Sequence, residues 1–475
     1  MTDWGWAPWA VSSAETIALI VIAIGILQLL FYIVQLVFAA ISLAQRPPIA
    51  SASILWSRYG ESAPPIAVLA PAFNEEVTVV ESVTSLLALH YPEFEVILIN
   101  DGSKDGTLQR LIDHFKLERV ERFHDNYVKH EPIRGLYASP RIPSLLVVDK
   151  ENGGKSDALN AGINVARAPI FCSIDADSIL ESDALLRAVR PFVEKPDEVI
   201  AVGGTIRLAN GSRIEGGRVI EVNLPKNFFA LVQIVEYLRA FLMARLALSR
   251  MQVLAVISGA FGLFQRRLAL EVGGYSHGTV GEDMELVIKL HRHMRDQGKA
   301  YRIEFIPEPV CWTEAPEDAT ILGRQRARWQ RGSLEVFRKH KDMLFKRRYG
   351  RIGFIGMGQV LIVDVLGPLV EVLGYLLVPL LWAVGLLAVD YLLAFLAITF
   401  TFGIFISVAT LILEEVELRR FPKASDLAKL TLIAVVENFG YRQLSNIWRI
   451  RGWWQFLRGQ QGWGTMTRKG FGQPS

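Results

Sequence analysis

The stretch Phe171-Cys-Ser-Ile-Asp-Ala-Asp-Ser178 reads as a buried strand that runs straight into two carboxylates, Asp175 and Asp177. Positions i and i+2 of a strand point the same way, so the two acids stand side by side. Carboxylates held together repel, and one turns neutral unless a cation sits between them. The pair therefore suits a hard divalent ion, Mg2+ or Mn2+, that also grips phosphate oxygens. The competing reading makes Asp177 a simple cap for the following helix.

Three more loops carry comparable chemistry. Pro71-Ala-Phe-Asn-Glu-Glu76 follows one apolar run, and Asn100-Asp-Gly-Ser-Lys-Asp-Gly106 follows a second. Asp149-Lys-Glu-Asn-Gly-Gly-Lys-Ser-Asp157 follows a third. Asp101 is placed to accept a hydrogen bond from a base or a ribose. Gly153-Gly154 is expected to leave backbone amides open at a helix start, with Lys155 adding positive charge, a combination that favours a diphosphate. A solvated surface lysine is the plainer alternative for Lys155. A P-loop pattern is missing, which argues against an NTPase.

Downstream, Gly281-Glu282-Asp283 precedes a helical run, Met284–His293. Asp283 is either its N-cap or a general base, and a cap position holds Asp ionised while weakening its basicity. Gln325, Arg328 and Trp329 follow in a helix expected to start near Asp318, and their i, i+3, i+4 spacing puts them on one face. Amide, guanidinium and indole together suit a diphosphate leaving group beside a stacked sugar. An interfacial Trp with basic anchors is the alternative.

The elements that would hold these groups alternate. Ile66–Ala70, Phe94–Asn100, Ser144–Asp149 and Ile170–Ile174 are short runs rich in branched residues, and Val77–Leu89, Leu108–Phe115, Ser156–Ala166 and Asp183–Val193 have helical periodicity. Alternation of this kind predicts an α/β domain, a mostly parallel sheet with helices on both faces. Ligands of such sheets sit beyond the carboxyl ends of the strands, where all four polar loops fall. The basic-aromatic connection Lys116–Pro143 receives no assignment.

Of 475 residues, 51% are hydrophobic and mean hydropathy is +0.28, high for a purely soluble chain. Glu15–Leu43 is long enough to cross a bilayer and too long for a cleaved leader. Leu369–Ala388 and Tyr391–Leu413 are further expected crossings. Phe354–Leu366, set off by Gly367-Pro368, and Leu427–Leu444 read as re-entrant or interfacial. Lys and Arg cluster from Arg338 to Arg351 and after the last crossing. The positive-inside rule then puts the N-terminus outside and the central domain and basic tail in the cytoplasm. The division is a membrane helix at 1–45, a catalytic domain at 46–345 with interfacial helices near 228–253 and 320–345, membrane helices at 346–450, and a basic aromatic tail at 451–475. The net charge of +3, gathered beside apolar segments, points to membrane lipids and not to nucleic acid. Cys172 and Cys311 lack a metal-binding spacing, and no disulfide is expected between them.

Pro71-Ala-Phe-Asn-Glu75, Asp101-Gly-Ser103, Gly154-Lys155, Asp175-Ala-Asp177, Ser258-Gly-Ala260, Glu282-Asp283 and Gln325-x-x-Arg328-Trp329 stand in an order that resembles the processive family 2 glycosyltransferases. Within these, Glu335-Val-Phe337 looks most like the bacterial poly-β-1,6-N-acetylglucosamine synthases. The resemblance covers about Pro64 to Arg338. It implies a GT-A fold inserted between transmembrane helices, a UDP-sugar donor, and inversion at the anomeric carbon. Pro71, Phe73, Asn74, Glu75 and Asp101 would hold uridine, and Gly154, Lys155, Asp175 and the metal the diphosphate. Asp177 would be the direct metal ligand and Asp283, beside Glu282, the base. Gln325 and Arg328 would attend the leaving group, and Ser258, Gly259 and Trp329 the acceptor. A polysaccharide or lipid acceptor, accessory secretion subunits and a plasma-membrane location are implied with them. One expected crossing before the catalytic domain, where several relatives carry two, departs from the pattern, and control through an attached cyclic-dinucleotide module after Arg468 is not expected.

Overall fold

The computed structural model describes residues 7–45, 51–175, 178–418 and 423–460. Asp177 and the tail beyond Gln460 lie outside them.

Buried branched runs build the sheet as expected. Its strands are β1 (Ile66–Ala72), β2 (Phe94–Asp101), β3 (Glu118–Val120), β4 (Ile133–Ser139), β5 (Ile142–Lys150), β6 (Ile170–Ile174), β7 (Ile179–Leu180) and β8 (Val199–Leu208). A small hairpin, β9 (Arg213–Glu215) and β10 (Arg218–Glu221), stands apart, and β11 (Phe261–Gln265) and β12 (Arg302–Thr313) complete the sheet. The spatial order is β3-β4-β5-β2-β1-β6-β11-β8-β12-β7. β5, β2, β1 and β6 are parallel neighbours, while β4, β11 and β7 run against the rest. Ile66–Ala70, Val96–Ile99, Leu145–Val148 and Phe171–Ile174 are all buried, because helices cover both faces. Both cysteines are buried.

After β1 the chain winds outward to β2 and β5, then returns to lay β6 on the other side of β1. That reversal opens a crevice at the carboxyl ends of β1 and β6. In register, Asp101 lies opposite Lys150, and Leu69 opposite Ser173, which brings Asp175 level with Pro71. The unassigned connection Lys116–Pro143 is in part ordered sheet. It supplies β3 and β4, which pair antiparallel at the sheet edge. Their short length and exposed polar residues give no clear period-2 signal.

Three helical runs among the described residues are long and apolar enough to cross a membrane: Pro8–Ala44, Ile352–Ala383 and Val389–Val416. The second corrects the expected break at Gly367-Pro368. Leu366 keeps helical dihedrals (φ −84°, ψ −30°), and its carbonyl accepts from Val370 N–H at 2.9 Å. Pro368 falls in the first turn of Gly367–Ala383, where a missing N–H costs little. Phe354–Leu366 is therefore continuous with the crossing and not a separate re-entrant piece. Leu427–Leu444 divides into two helices, Ala424–Val436 and Tyr441–Leu457, which meet at Gly440 (φ +104°). The expected interfacial helix is one helical run from Phe228 to Arg250, with π-helical turns at Leu238–Arg245.

Candidate active site

Asp101 ends β2 with a buried carboxylate that collects four donors. Lys150 Nζ lies 2.6 Å from Oδ1, and the N–H groups of Gly153 and Gly154 donate at 3.0 and 2.7 Å. Asn152 Nδ2 adds a fourth contact at 3.1 Å. This corrects two expectations. The Gly153 and Gly154 amides are closed on Asp101 and not open to a diphosphate, and Asp101 has little acceptor capacity left for a nucleoside. Gly154 (φ +86°) has a left-handed conformation that only glycine adopts cheaply. At Gly102 (φ +68°) a side chain would meet Asn152 N at 2.7 Å. Lys150, absent from the sequence-based set, is fully buried and also reaches Asp157 at 2.5 Å.

The β1 loop is clamped to the β2 loop. Asn74 (φ +56°) donates its N–H to Ser103 Oγ and accepts from Lys104 N–H, at 2.9 and 2.8 Å. Glu75 N–H donates to Thr107, and its carboxylate accepts from Thr78. Asn74 and Glu75 thus position the loop, while Phe73 offers a ring that is 46% exposed.

Lys155 opens the helix Lys155–Val165, and its Nζ lies 2.5 Å from Asp175 Oδ1 and 3.7 Å from Glu282 Oε1. Burial opposes its charge, but Asp175, Glu282 and Asp283 outweigh burial and hold the ammonium above its ordinary range. Lys155 is no surface lysine. Burial pushes the Glu282 carboxyl up to about 7, with Lys155 pulling the other way. Gly281 is the N-cap of Glu282–Asp296, so Asp283 is not. Asp283 lies in the first turn, where Gly259 N–H and Met284 N–H donate to its two oxygens at 3.1 and 2.7 Å. Gly259 and Ser258 thereby sit against the candidate base.

The expected helix start holds: Asp318 caps Ala319–His340, accepting from Thr320 and Ile321 N–H. Gln325, Arg328 and Trp329 all line one cavity of about 1080 Å³ together with Lys155, Asp175 and Asp283. The Trp329 ring is 44% exposed. Behind it lies a residue that the motif reading passed over, Arg326, with Cζ 4.4 Å from the ring centroid. Arg326 donates to Glu236 at 2.5 Å, and Glu236 also accepts from Tyr441 Oη at 3.0 Å. Three helices far apart in sequence thus fix the indole, and that separation hid the clamp. The same cavity runs on between the long apolar helices, past Gln28 and Glu371.

Asp175 supplies hard oxygens of the kind that Mg2+ and Mn2+ prefer, and Glu282, on the same cavity, keeps its Oε2 buried without a partner. Among the described residues, no group of three His, Cys, Asp or Glu side chains is gathered to hold a metal. Asp177 would have to complete the set.

The fold is that of a GT-A sugar transferase. A mannosyltransferase from Pyrobaculum calidifontis, solved with GDP-Man and Mn2+, superposes with a TM-score of 0.53 over 92% of this chain and 99% of its own, at 18% identity. That likeness concerns the fold alone. Family models for glycosyl transferase family 2 and glycosyl transferase family group 2 match residues 67–272 and 170–413, the latter over half of the chain. The chain belongs to the family 2 glycosyltransferases. It is similar to the poly-β-1,6-N-acetyl-D-glucosamine synthases of Staphylococcus epidermidis and Staphylococcus aureus, at 31% identity over 271 and 275 residues. Each match covers 57% of this chain and 55% of the relative, so the chain spans about half the length of the curated relatives it matches.

Lys150→Met leaves Asp101 and Asp157 buried without their shared cation. Breaking such a group by removing one partner costs roughly 3–5 kcal/mol. Denaturation of the detergent-solubilised chain should show a loss of that size, and a loss below ~1 kcal/mol would contradict the assignment.

Proposed function

We propose that this chain is a plasma-membrane enzyme that extends a β-linked polysaccharide from a UDP-sugar, with its catalytic domain in the cytoplasm. The observation that carries the reading is the single cavity that joins Lys155, Asp175 and Asp283 to Trp329 and continues between the membrane-crossing helices. A product chain leaving Trp329 along that cavity would enter the membrane while still attached to the enzyme. Between UDP-N-acetylglucosamine and UDP-glucose, the names of the relatives favour the former.

The chemistry follows from the placement of charge. Phe73 offers its exposed ring to the uracil. Lys155 and Arg328 lie along the cavity where the diphosphate's negative charge would fall, and Gln325 adds an amide to that wall. Mg2+ or Mn2+, held by Asp175 and Asp177, would supply further neutralisation of the diphosphate. The acceptor sugar stacks on Trp329 and presents a hydroxyl to Asp283. As its oxygen bonds to the anomeric carbon, the bond from that carbon to the diphosphate oxygen breaks on the opposite face. The hydroxyl proton passes to Asp283, UDP leaves, and the configuration inverts. Hydrogen bonds from Gly259 and Met284 aim the carboxylate.

The full-length chain in lipid vesicles, given radiolabelled UDP-N-acetylglucosamine and Mg2+, should yield products many sugars long, and EDTA should suppress them. Single additions to a lipid would instead establish a lipid-directed transferase, and full activity in EDTA would remove the metal from the scheme. Asp283→Asn should cut turnover at least ~10²-fold while UDP affinity, measured by calorimetry, stays within about twofold. Wild-type turnover in that variant would eliminate Asp283 as the base.

A further inference from the structure

Arg245 stands out among the charged groups of the cavity. It ends the π-helical turns Leu238–Arg245 of the interfacial run, and widened turns of this kind are frequent at functional sites. Its guanidinium lies over the Phe241 ring, Cζ 3.8 Å from the centroid, and the Phe241 ring lies 5.3 Å from that of Tyr237. The stack sits on the wall of the cavity that Ser258, Asp283 and Trp329 also line. Yet Arg245 forms no ion pair and no hydrogen bond among the described residues, and its Nη1 is shielded from solvent without a partner. Most other arginines around the cavity are committed: Arg326 to Glu236, Arg239 to Glu437, Arg442 to Glu371.

An unpaired cation in a shielded site is costly, so a fold that retains one gains nothing from it in stability. Its neighbours indicate what it serves. Burial lowers the Arg245 pKa to about 10, and the acid that opposes burial is Asp283, with Tyr237 beside it. Arg245 shares its cavity with Ser258, Gly259 and Trp329, the residues that the proposed reading sets against the acceptor. A guanidinium has five N–H donors in a planar fork, suited to several oxygens of one sugar ring.

We propose that Arg245 binds the acceptor saccharide beside Asp283, its guanidinium donating to hydroxyl or carbonyl oxygens of the sugar unit about to be extended. The proposal deepens the polymerase reading above and rests on it.

Arg245→Met and Arg245→Lys in the full-length chain, assayed in vesicles with radiolabelled UDP-N-acetylglucosamine and added N-acetylglucosamine oligomers, test it. Arg245→Met should raise the acceptor KM or shorten the products by about ten- to a hundredfold, the range a hydrogen bond to a charged group supports. UDP affinity should stay within about twofold, and Arg245→Lys should recover part of the loss. The thermal midpoint of Arg245→Met should equal or exceed that of the wild type, because a buried unpaired charge has gone. A purely structural arginine predicts the reverse, a lower midpoint. That result, an unchanged product length, or a fall in UDP affinity would each overturn the proposal. A wild-type chain that transfers no sugar from the labelled donor would sink the polymerase reading itself, an outcome separate from any effect of the variants.

Discussion

The arrangement of this site depends on one buried carboxylate. Asp101 takes its charge into the domain and binds Lys150, the Asn152 amide and the backbone N–H groups of Gly153 and Gly154. Charge-assisted bonds of this kind are short and directional, so the turn from Glu151 to Gly154 has one shape. That turn decides where the helix Lys155–Val165 begins, and with it the place of Lys155 over Asp175. Lys150 extends the same constraint to Asp157, which accepts from Glu131 N–H and lies 3.2 Å from His277. Two strand ends, a helix start and two surface loops are thus referred to one cation and its two acids. The loop looks like an anion-binding turn because it is one, with Asp101 as its anion.

Lys155 and Asp175 present a second economy of charge. In the free chain they neutralise each other at 2.5 Å, and neither stands exposed to the cost of an uncompensated ion. On the proposed reading, a donor with its cation offers each of them a new partner, the cation for Asp175 and the diphosphate for Lys155. Two attractive contacts replace one, so the change proceeds without stranding either charge. Arg245 differs because its compensation in the free chain is limited to the field of Asp283 and an aromatic face.

Local pattern exposed the sheet and its polar edge, and it failed where a residue's partner lies far along the chain. The four strands that carry the site loops, and their helices, fall within a few residues of their expected bounds, because buried branched runs and 3.6-residue periodicity are local signals. Gly153-Gly154 misled for the opposite reason. Its amides face an acid some fifty residues earlier, and no local rule reports that. Gly281, not Asp283, caps its helix, since the acid's oxygens turn toward Gly259 and Met284. Lys150 and Arg326 carry no motif signal, being ordinary basic residues whose roles come from Asp157 and Glu236 respectively. Gly367-Pro368 looked like a break because the pair usually is one, but a proline in a first helical turn does not interrupt the run.

The helix bearing Trp329 is also locked to the apolar C-terminal helices. It packs along Tyr441–Leu457 at two glycines. A side chain at Gly323 would meet the Trp448 indole at 2.7 Å, and one at Gly452 would strike the Ala327 carbonyl. The close approach lets Arg449 reach Gln330 Oε1 at 2.8 Å and the Asp364 carbonyl at 3.2 Å, the latter inside the second membrane-crossing run. Tyr441 adds a second tie through Glu236 and Arg326. Interiors packed to this degree transmit displacement and do not absorb it. On the proposed reading, the acceptor platform therefore cannot shift relative to these apolar helices without breaking polar contacts along one helix pair. On that same reading, a sugar added at Asp283 would advance the product against a wall that holds still, and the direction left open along the cavity is away from the donor.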